Sequence, residues 1–434
     1  MTDSRPAAPG APGGPPRFPD VPPTPPATGP AALEGVRVLD LSSLYAGPWI
    51  ATNLGDHGAE VLKVEHPRGD DARRWGLSRG GVPLWWKVIS RNKELVRLDL
   101  HDAGDRDVVR RLAARADIVI ENFRPGRLES WGLGYDRLSA DNPGLIMVRV
   151  TGYGQTGPRS QEPGFGTLAE AFAGFAHMTG AADGPPTLPP FGLADGVASA
   201  VGAAAALMAL YWRDARGGTG QVIDLSLYEP LFSLLGPQVV EYTQTGRVQK
   251  RTGNRSPRTA PRNAYRTADD RYVTLSAGTQ QIANRIFAAI DRPDLADDPR
   301  FASPLARREN SDAIDAIVAE WIAQHDQAHV LERFSANQAP IAPVYDTAQI
   351  VADPHFLARA SIVSVPDPDL GEVVMQNTLP HFSRTPGTIR HTGRTEIDAD
   401  RAALDRWLAA PPRHDPTPHD PAAPSGPPAP GGPR

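Results

Sequence analysis

The fold is decided by Val36-Arg37-Val38-Leu39-Asp40-Leu41, a short apolar stretch that predicts a buried β-strand. A helix is predicted over Pro48 to Asp56, because proline is favoured in the first helical turn. Further strands are predicted at 60–65, 95–100, 117–121 and 145–150. Short apolar strands separated by helices are typical of an α/β fold, in which helices cover a mostly parallel sheet.

Ligands of such sheets bind beyond the carboxyl ends of the strands. Three predicted loops lie at that edge, namely Ser42–Pro48, Asn122–Gly126 and Thr151–Pro158. The third loop contains the pattern G-x-G-x-x-G over residues 152–157. A dinucleotide fingerprint requires a helix that begins on those glycines, whereas prolines follow here at 158 and 163. We interpret the pattern as a glycine-rich loop that lines a ligand site, with a plain flexible turn as the alternative.

The chain length of 434 residues indicates more than one domain. We expect a large domain over 33–244, a smaller α/β domain over 245–335, and a return to the large domain over 336–410. The terminal segments 1–32 and 411–434 are rich in Pro, Ala and Gly. They have too few apolar side chains to offset the entropy of ordering, so we expect disordered tails there.

Composition excludes several classes of protein. The net charge of −5 gives no reason to expect a nucleic acid partner. The absence of cysteine excludes disulfides, thiolate metal sites and a cysteine nucleophile. The N-terminus has no signal-peptide pattern, and the longest apolar run, Val197 to Trp212, is somewhat short for a membrane span. We therefore expect a cytoplasmic protein with no membrane partner, in which this run forms a buried helix.

A series of segments, taken in order, resembles one protein family. They are Gly35–Leu41, Ala46-Gly47-Pro48, Glu60–Glu65, Asn92-Lys93, Leu98-Asp99-Leu100, Glu121–Gly126, Thr151–Pro158, Gly220–Asp224, Gly253–Pro257 and Asp298–Phe301. Together they resemble the class III coenzyme A-transferases, a family that includes formyl-CoA transferase, carnitine-type CoA-transferases and α-methylacyl-CoA racemases. The resemblance covers about residues 33–410.

The resemblance implies a Rossmann-like large domain, a small α/β domain and an interlocked homodimer. It implies that an acyl-CoA and a small carboxylic acid are the substrates, with neither a metal nor a redox cofactor. By position, the implied CoA contacts are Tyr45, Ala46, Trp86, Lys87, Val88, Asn122, Phe123, Arg124, Thr151, Gly152 and Tyr153. Family members often have basic groups where this chain has His66, Ser130 and Thr151. The pyrophosphate contacts are therefore expected to involve Arg124, Arg127 or Lys87.

The family nucleophile is an aspartate that attacks the thioester and carries CoA as an aspartyl thioester. In Pro163-Gly164-Phe165-Gly166-Thr167-Leu168-Ala169-Glu170 the corresponding position is Gly166, which has no side chain. Glu170 is the candidate substitute, because residues i and i+4 share one face of a helix. The alternatives are that Glu170 is an ordinary surface residue, that the chain is a non-catalytic subunit beside an intact sister chain, or that another carboxylate or a different chemistry is used.

Asp195 precedes the long Ala-rich run and also matches an acidic position of the family. A cap of that helix is the favoured role, with a part in the site as the alternative. An α-methylacyl-CoA racemase is the runner-up enzyme. Racemization requires an acid and a base on opposite sides of the α-carbon, and the missing aspartate would supply one of them.

Overall fold

The computed structural model describes residue 18, residues 20–26 and residues 29–413. The chain forms an α/β fold with a large parallel sheet and three small antiparallel sheets. The strands are β1 (Arg37–Asp40), β2 (Glu60–Glu65), β3 (Ser78–Arg79), β4 (Val82–Pro83), β5 (Lys93–Arg97), β6 (Ile118–Glu121), β7 (Ile146–Thr151), β8 (Val222–Ser226), β9 (Arg262–Arg266), β10 (Tyr272–Ser276), β11 (Ile341–Pro343), β12 (Ile362–Asp367) and β13 (Gly371–Gln376).

The α-helices follow most of the strands and cover the sheet. They are α1 (Ala46–Asp56), α2 (Leu84–Ile89), α3 (Ala103–Ala113), α4 (Arg127–Ser130), α5 (Tyr135–Asp141), α6 (Gly166–Phe172), α7 (Phe175–Met178), α8 (Leu193–Arg216), α9 (Tyr228–Leu234), α10 (Gln238–Thr245), α11 (Gln280–Ala289), α12 (Pro304–Glu309), α13 (Ser311–Ala323), α14 (Gln327–Ala336), α15 (Thr347–Ala352), α16 (Pro354–Ala358) and α17 (Arg401–Ala409). Short 3₁₀ helices lie at Asp71–Arg74 and Pro293–Ala296.

The large sheet has six parallel strands in the order β5-β2-β1-β6-β7-β8. Neighbouring residues of one strand enter opposite cores, as the alternation of side chains along a strand requires. Val148 of β7 packs in the core that includes α1 and α8, while Met147 packs in the core that includes α3 and α17. Both faces of the sheet are therefore covered, as is usual for parallel sheets, and the predicted α/β class is confirmed.

The smaller unit has its own core, built around Phe287, Phe301 and Phe334. Its sheet has the order β11-β10-β9 and is antiparallel throughout. β11 lies beyond the expected domain boundary at residue 335, so the unit extends further along the chain than the sequence indicated. The segment after it returns to the large domain, where Trp407 of α17 is buried.

Part of the expected N-terminal tail is ordered. The backbone amide of Thr24 donates to Ser364 O, and the amide of Ser364 donates to Pro22 O, both at 2.9 Å. Val21 is buried beside this pairing. Edge pairing with β12 therefore holds residues 22–24, which composition alone assigned to a disordered tail. The rest of that tail up to residue 17, and residues 414–434, lie outside the described residues.

Helix α8 is, among the described residues, the one helix long and apolar enough to meet the criteria for a membrane span. It accounts for the apolar run at 197–212. One face is buried against α1 and the sheet through Ala198, Ala206 and Ala209. The opposite face exposes Met208 and Tyr211. The expected helix is confirmed, but only one of its faces is buried.

Candidate active site

A cavity of about 790 Å³ opens at the carboxyl ends of β1, β6 and β7. All three loops that the sequence predicted at this edge contribute to it. The lining residues are Ser43, Leu44, Tyr45, Ala46, Trp75, Gly76, Trp85, Asn122, Phe123, Arg124, Pro125, Val150, Thr151, Gly152, Ser160, Glu162, Pro163, Gly164, Phe165, Gly166, Thr167, Phe191, Gly192, Asp195 and Leu227. The cavity therefore lies where parallel sheets bind ligands.

Most of the side chains predicted to contact a ligand line this cavity. They are Tyr45, Ala46, Asn122, Phe123, Arg124, Thr151 and Gly152. The remaining predicted contacts, Trp86, Lys87, Val88 and Tyr153, are not among the lining residues. Trp86 is buried, and its indole N–H donates to Arg394 O at 2.7 Å. The stretch 86–88 therefore packs inside the protein.

Lys87 is fully buried, and its ammonium forms ion pairs with Asp367 at 2.7 Å and Asp369 at 2.5 Å. Both carboxylates come from the β12–β13 hairpin region, far away in sequence. A buried ammonium is costly to desolvate unless it is paired, so this pairing fixes Lys87 in place. The expectation that Lys87 contacts a pyrophosphate is not supported by this position.

Asn122 joins two of the cavity loops. Its Oδ1 accepts from the amide of Ser43 at 2.9 Å, and its Nδ2 donates to Ser43 O at 2.8 Å. Leu44, which follows Ser43, has a left-handed backbone with φ of 70°. Its amide donates to Asp70 Oδ1 at 3.1 Å. These bonds hold the loop before α1 in an unfavourable conformation that presents Tyr45 to the cavity.

The glycine-rich loop is confirmed as a loop, because no helix begins in residues 152–157. A Cβ on Gly152 would lie 2.5 Å from the Cα of Gly164. The two backbones therefore pass so closely that neither position has room for a side chain. This contact fixes the segment that leads to Gly166 against the end of β7.

Aromatic residues form one wall of the cavity. The ring of Tyr45 lies edge-on to Trp85 with 5.1 Å between centroids, and Trp85 stacks parallel to Trp49 at 6.0 Å. Of the paired tryptophans 85 and 86, the first lines the cavity and the second is core. The local sequence pattern did not indicate which of these two tryptophans would line the cavity and which would be buried in the core.

Gly166 begins α6, and its missing side chain leaves space that Asp195 fills. A Cβ built on Gly166 would overlap Asp195 Oδ2 and lie 2.9 Å from Asp195 Cγ. Asp195 comes from the first turn of α8, so two helix starts meet at this point. The carboxylate thus borders the cavity at the position that a side chain of residue 166 would occupy.

Glu170 lies one turn further along α6 and is almost completely buried. Its Oε1 accepts a hydrogen bond from the amide of Ala194 at 3.2 Å, at the start of α8. It is not among the residues that line the cavity. The two acidic residues therefore have reversed places relative to the sequence expectation, because Glu170 caps α8 and Asp195 borders the cavity.

The environment of Asp195 favours its protonated form. Burial, together with the negative charge of Glu170, raises the pKa of Asp195 to about 6. Tyr45 is the other titratable neighbour, since its hydroxyl would lie 3.5 Å from a Cβ on Gly196 in the same turn. Burial and the charge of Asp195 raise the pKa of Tyr45. Shifts of this kind are common at catalytic positions.

A second cavity of about 450 Å³ adjoins the first and shares Ser43 and Phe123 with it. Basic groups border it at His66, Arg68 and Arg74, and acidic groups at Glu65, Asp70 and Asp71. At the edge of this cavity, one ring nitrogen each of His66 and His101 and one carboxylate oxygen of Asp99 lie within 4.8 Å of one another. Arg127 lies outside both linings and stacks over Trp131 at 4.5 Å.

The fold and the cavity define an α/β enzyme with a carboxylate inside a ligand site at the strand ends. The chain belongs to CoA-transferase family III, whose model matches residues 33–394. This confirms the family resemblance and the assignment as a CoA-transferase.

Two relatives and one solved structure show the extent of the similarity. Succinyl-CoA–D-citramalate CoA-transferase of Chloroflexus aurantiacus is 43% identical over 366 residues, 84% of this chain and 91% of that protein. The succinyl-CoA–L-malate CoA-transferase beta subunit of the same organism is 41% identical, over 83% of this chain and 90% of the subunit. The crystal structure of a CAIB/BAIF family protein from Brucella suis superposes with a TM-score of 0.77 at 32% identity, covering 87% of this chain and 99% of that chain.

Proposed function

We propose that this chain transfers CoA from succinyl-CoA to a small hydroxy- or dicarboxylic acid. Relatives at about two-fifths identity carry succinyl-CoA, citramalate and malate in their names, which supports this class of donor and acceptor. The observation that carries the proposal is the cavity itself, where Asp195 borders the space beyond β1, β6 and β7. A thioester held there would present its carbonyl carbon to a carboxylate.

The CoA moiety is proposed to follow the two adjoining cavities. Tyr45, Ala46, Thr151 and Gly152 would contact the pantetheine arm in the first cavity. Arg124 is exposed at the rim of this cavity, where its guanidinium can pair with phosphate oxygens. The basic residues of the second cavity would take the remaining phosphate groups and the adenosine. No metal or redox cofactor is required by this reaction.

A racemase is the second enzyme class among the family members. It needs two groups that exchange a proton on opposite sides of one carbon. Among the described residues that line the main cavity there is neither histidine nor lysine, and the carboxylates are those of Glu162 and Asp195. Glu162 is exposed and paired with Arg159 at 2.8 Å. This lining favours acyl transfer over racemization.

Assembly with a second chain is part of the proposal. Helices α8, α9 and α10 expose large apolar side chains, including Met208, Tyr211, Leu234, Val240 and Tyr242. Patches of this kind mark protein interfaces, and they support a homodimer. Two relatives are subunits of one heteromeric enzyme, so a sister subunit is the alternative partner. The cysteine-free composition supports a cytoplasmic location.

The proposal is tested by incubating the purified chain with succinyl-CoA and single candidate acids, including citramalate, malate, glutarate and mesaconate. New acyl-CoA thioesters are then identified by liquid chromatography with mass spectrometry. We expect one or a few acids to yield their CoA thioesters with equimolar succinate. Failure of every acid, with the chain shown to be folded and oligomeric, would overturn the proposal. Racemization of a chiral 2-methylacyl-CoA without acid exchange would favour the racemase.

A further inference from the structure

The empty side-chain position at Gly166 is the feature that the reaction leaves unexplained. The oxygen Asp195 Oδ2 lies where a Cβ of residue 166 would be, and no positive φ prevents an ordinary side chain there. Gly192 also approaches this carboxylate, because a Cβ on it would lie 3.1 Å from Asp195 Oδ2. Glycines at both positions therefore leave room for the carboxylate of Asp195.

The other nearby carboxylates are held in place. Glu170 is buried beneath the cavity wall, where its oxygen accepts from the amide of Ala194. To act as a nucleophile it would have to abandon this bond and leave α8 uncapped. Glu162 lines the cavity but is exposed and paired with Arg159. Asp195 is the carboxylate that is both half-buried and open to the cavity.

We propose that Asp195 is the covalent nucleophile of this chain and supplies, from the start of α8, the carboxylate that is missing at position 166. This inference rests on the proposed CoA-transferase function and assigns its catalytic residue. Glu170 is then a positioning residue, because its bond to Ala194 fixes the turn that carries Asp195.

The reaction balances as two exchanges at one carboxylate. An oxygen of Asp195 attacks the thioester carbonyl carbon, the C–S bond breaks, and the CoA thiolate leaves an acyl-aspartyl anhydride. The thiolate attacks the aspartyl carbonyl carbon, the anhydride C–O bond breaks, and the donor acid leaves as its carboxylate. The acceptor carboxylate then reverses both steps on the aspartyl-CoA thioester. The acceptor leaves as its CoA thioester, and the carboxylate of Asp195 is regenerated with no net transfer of protons or electrons.

A reciprocal exchange of the two positions tests the geometry. Asp195→Ala is expected to lower kcat by about 10³-fold or more, since it removes the nucleophile. The same change removes the Cγ and Oδ2 atoms that obstruct a side chain at 166. Gly166→Asp combined with Asp195→Ala is therefore expected to have a kcat at least about tenfold higher than that of Asp195→Ala alone. Gly166→Ala combined with Asp195→Ala fills the same space without a carboxylate and is expected to stay inactive.

The position of the covalent adduct is a second, independent measurement. The wild-type chain is incubated with succinyl-CoA and quenched with hydroxylamine, which converts an aspartyl thioester to a hydroxamate. Peptide mass spectrometry is expected to place the hydroxamate on Asp195, and on residue 166 in the double variant. Asp183→Asn, an exposed aspartate outside the cavity, is the control and should keep the wild-type adduct.

The outcomes separate the two proposals. CoA exchange with the hydroxamate on Glu170 or Glu162 overturns the assignment of Asp195 but leaves the transferase function intact. Full activity of a folded Asp195→Ala variant does the same. Absence of both exchange and adduct in the wild-type chain overturns the function, and the assignment with it.

Discussion

The carboxylate of Asp195 occupies the space that a side chain at residue 166 would fill, although the two residues belong to different helices. A side chain at position 166, where the resemblance places the family aspartate, would therefore share its space with the carboxylate of Asp195. The predictions for pH dependence, stability and the effects of mutation therefore all depend on the position of the Asp195 carboxylate.

The first prediction concerns the pH dependence of transfer. Only the ionised carboxylate of Asp195 is a nucleophile, and burial beside Glu170 raises its pKa to about 6. The groups that face it, Glu170 and Tyr45, do not supply a positive charge that would lower this value. We expect log(kcat/KM) to fall with a slope of about one as pH decreases below about 6. A profile of the wild-type chain that stays flat from pH 7 to pH 5 would contradict this assignment. Asp183→Asn is the matched control and should show the same fall as the wild-type chain.

The second prediction is that Asp195→Asn stabilises the protein at neutral pH. A carboxyl whose pKa is raised on folding binds its proton more tightly in the native state, so the free energy of unfolding decreases as pH rises from about 4 to about 6. Above that window the ionised group destabilises the native state by up to about 3 kcal/mol. Asparagine removes this penalty with little change in shape. Urea unfolding at pH 7.5 should show the gain, and the difference should disappear below pH 4. An unchanged midpoint at pH 7.5 would count against the buried environment.

The third prediction separates Glu170 from Asp195. Glu170→Gln retains an oxygen that can accept from the amide of Ala194 but removes the charge at the start of α8. We expect a loss of stability of about 1 kcal/mol or less and a reduction of kcat by less than about tenfold. Discontinuous activity assays measure kcat, and thermal unfolding of the same preparation measures stability. A reduction of kcat by about 10³-fold in a folded variant would indicate that Glu170, and not Asp195, is the nucleophile.

The parallel sheet was predictable because apolar residues of its central strands, such as Val38 and Leu39 of β1, pack in the cores on its two opposite faces. β9 was missed, since Arg262–Arg266 is polar and reads as loop; its pairing with β10 comes from tertiary contacts. The cavity loops followed from the rule for parallel sheets. The positions of Glu170 and Asp195 relative to the cavity could not be predicted, because the distance between two helix starts is set by packing and not by spacing along the chain.

The fourth prediction tests the close backbone contact behind the cavity. Gly152→Ala places a methyl group 2.5 Å from the Cα of Gly164, which is backbone and cannot move aside cheaply. We expect a destabilisation of about 1 to 3 kcal/mol together with a raised KM for the acyl-CoA. Gly278→Ala is the matched control, since nothing lies within 4 Å of its Cβ position. Equal stability of the two variants would show that the loop adapts.

The fifth prediction concerns Lys87, which sequence position associated with the pyrophosphate of CoA. In the structure its ammonium is buried between Asp367 and Asp369. Lys87→Met removes the cation beside the buried carboxylate of Asp367, so we expect a loss of about 3 to 5 kcal/mol in the free energy of unfolding. The KM for acyl-CoA of the fraction that remains folded should stay within about twofold, whereas Arg124→Ala should raise KM by about tenfold. A raised KM for Lys87→Met with unchanged stability would instead make Lys87 a CoA contact, and would require the β12–β13 hairpin to move when CoA binds.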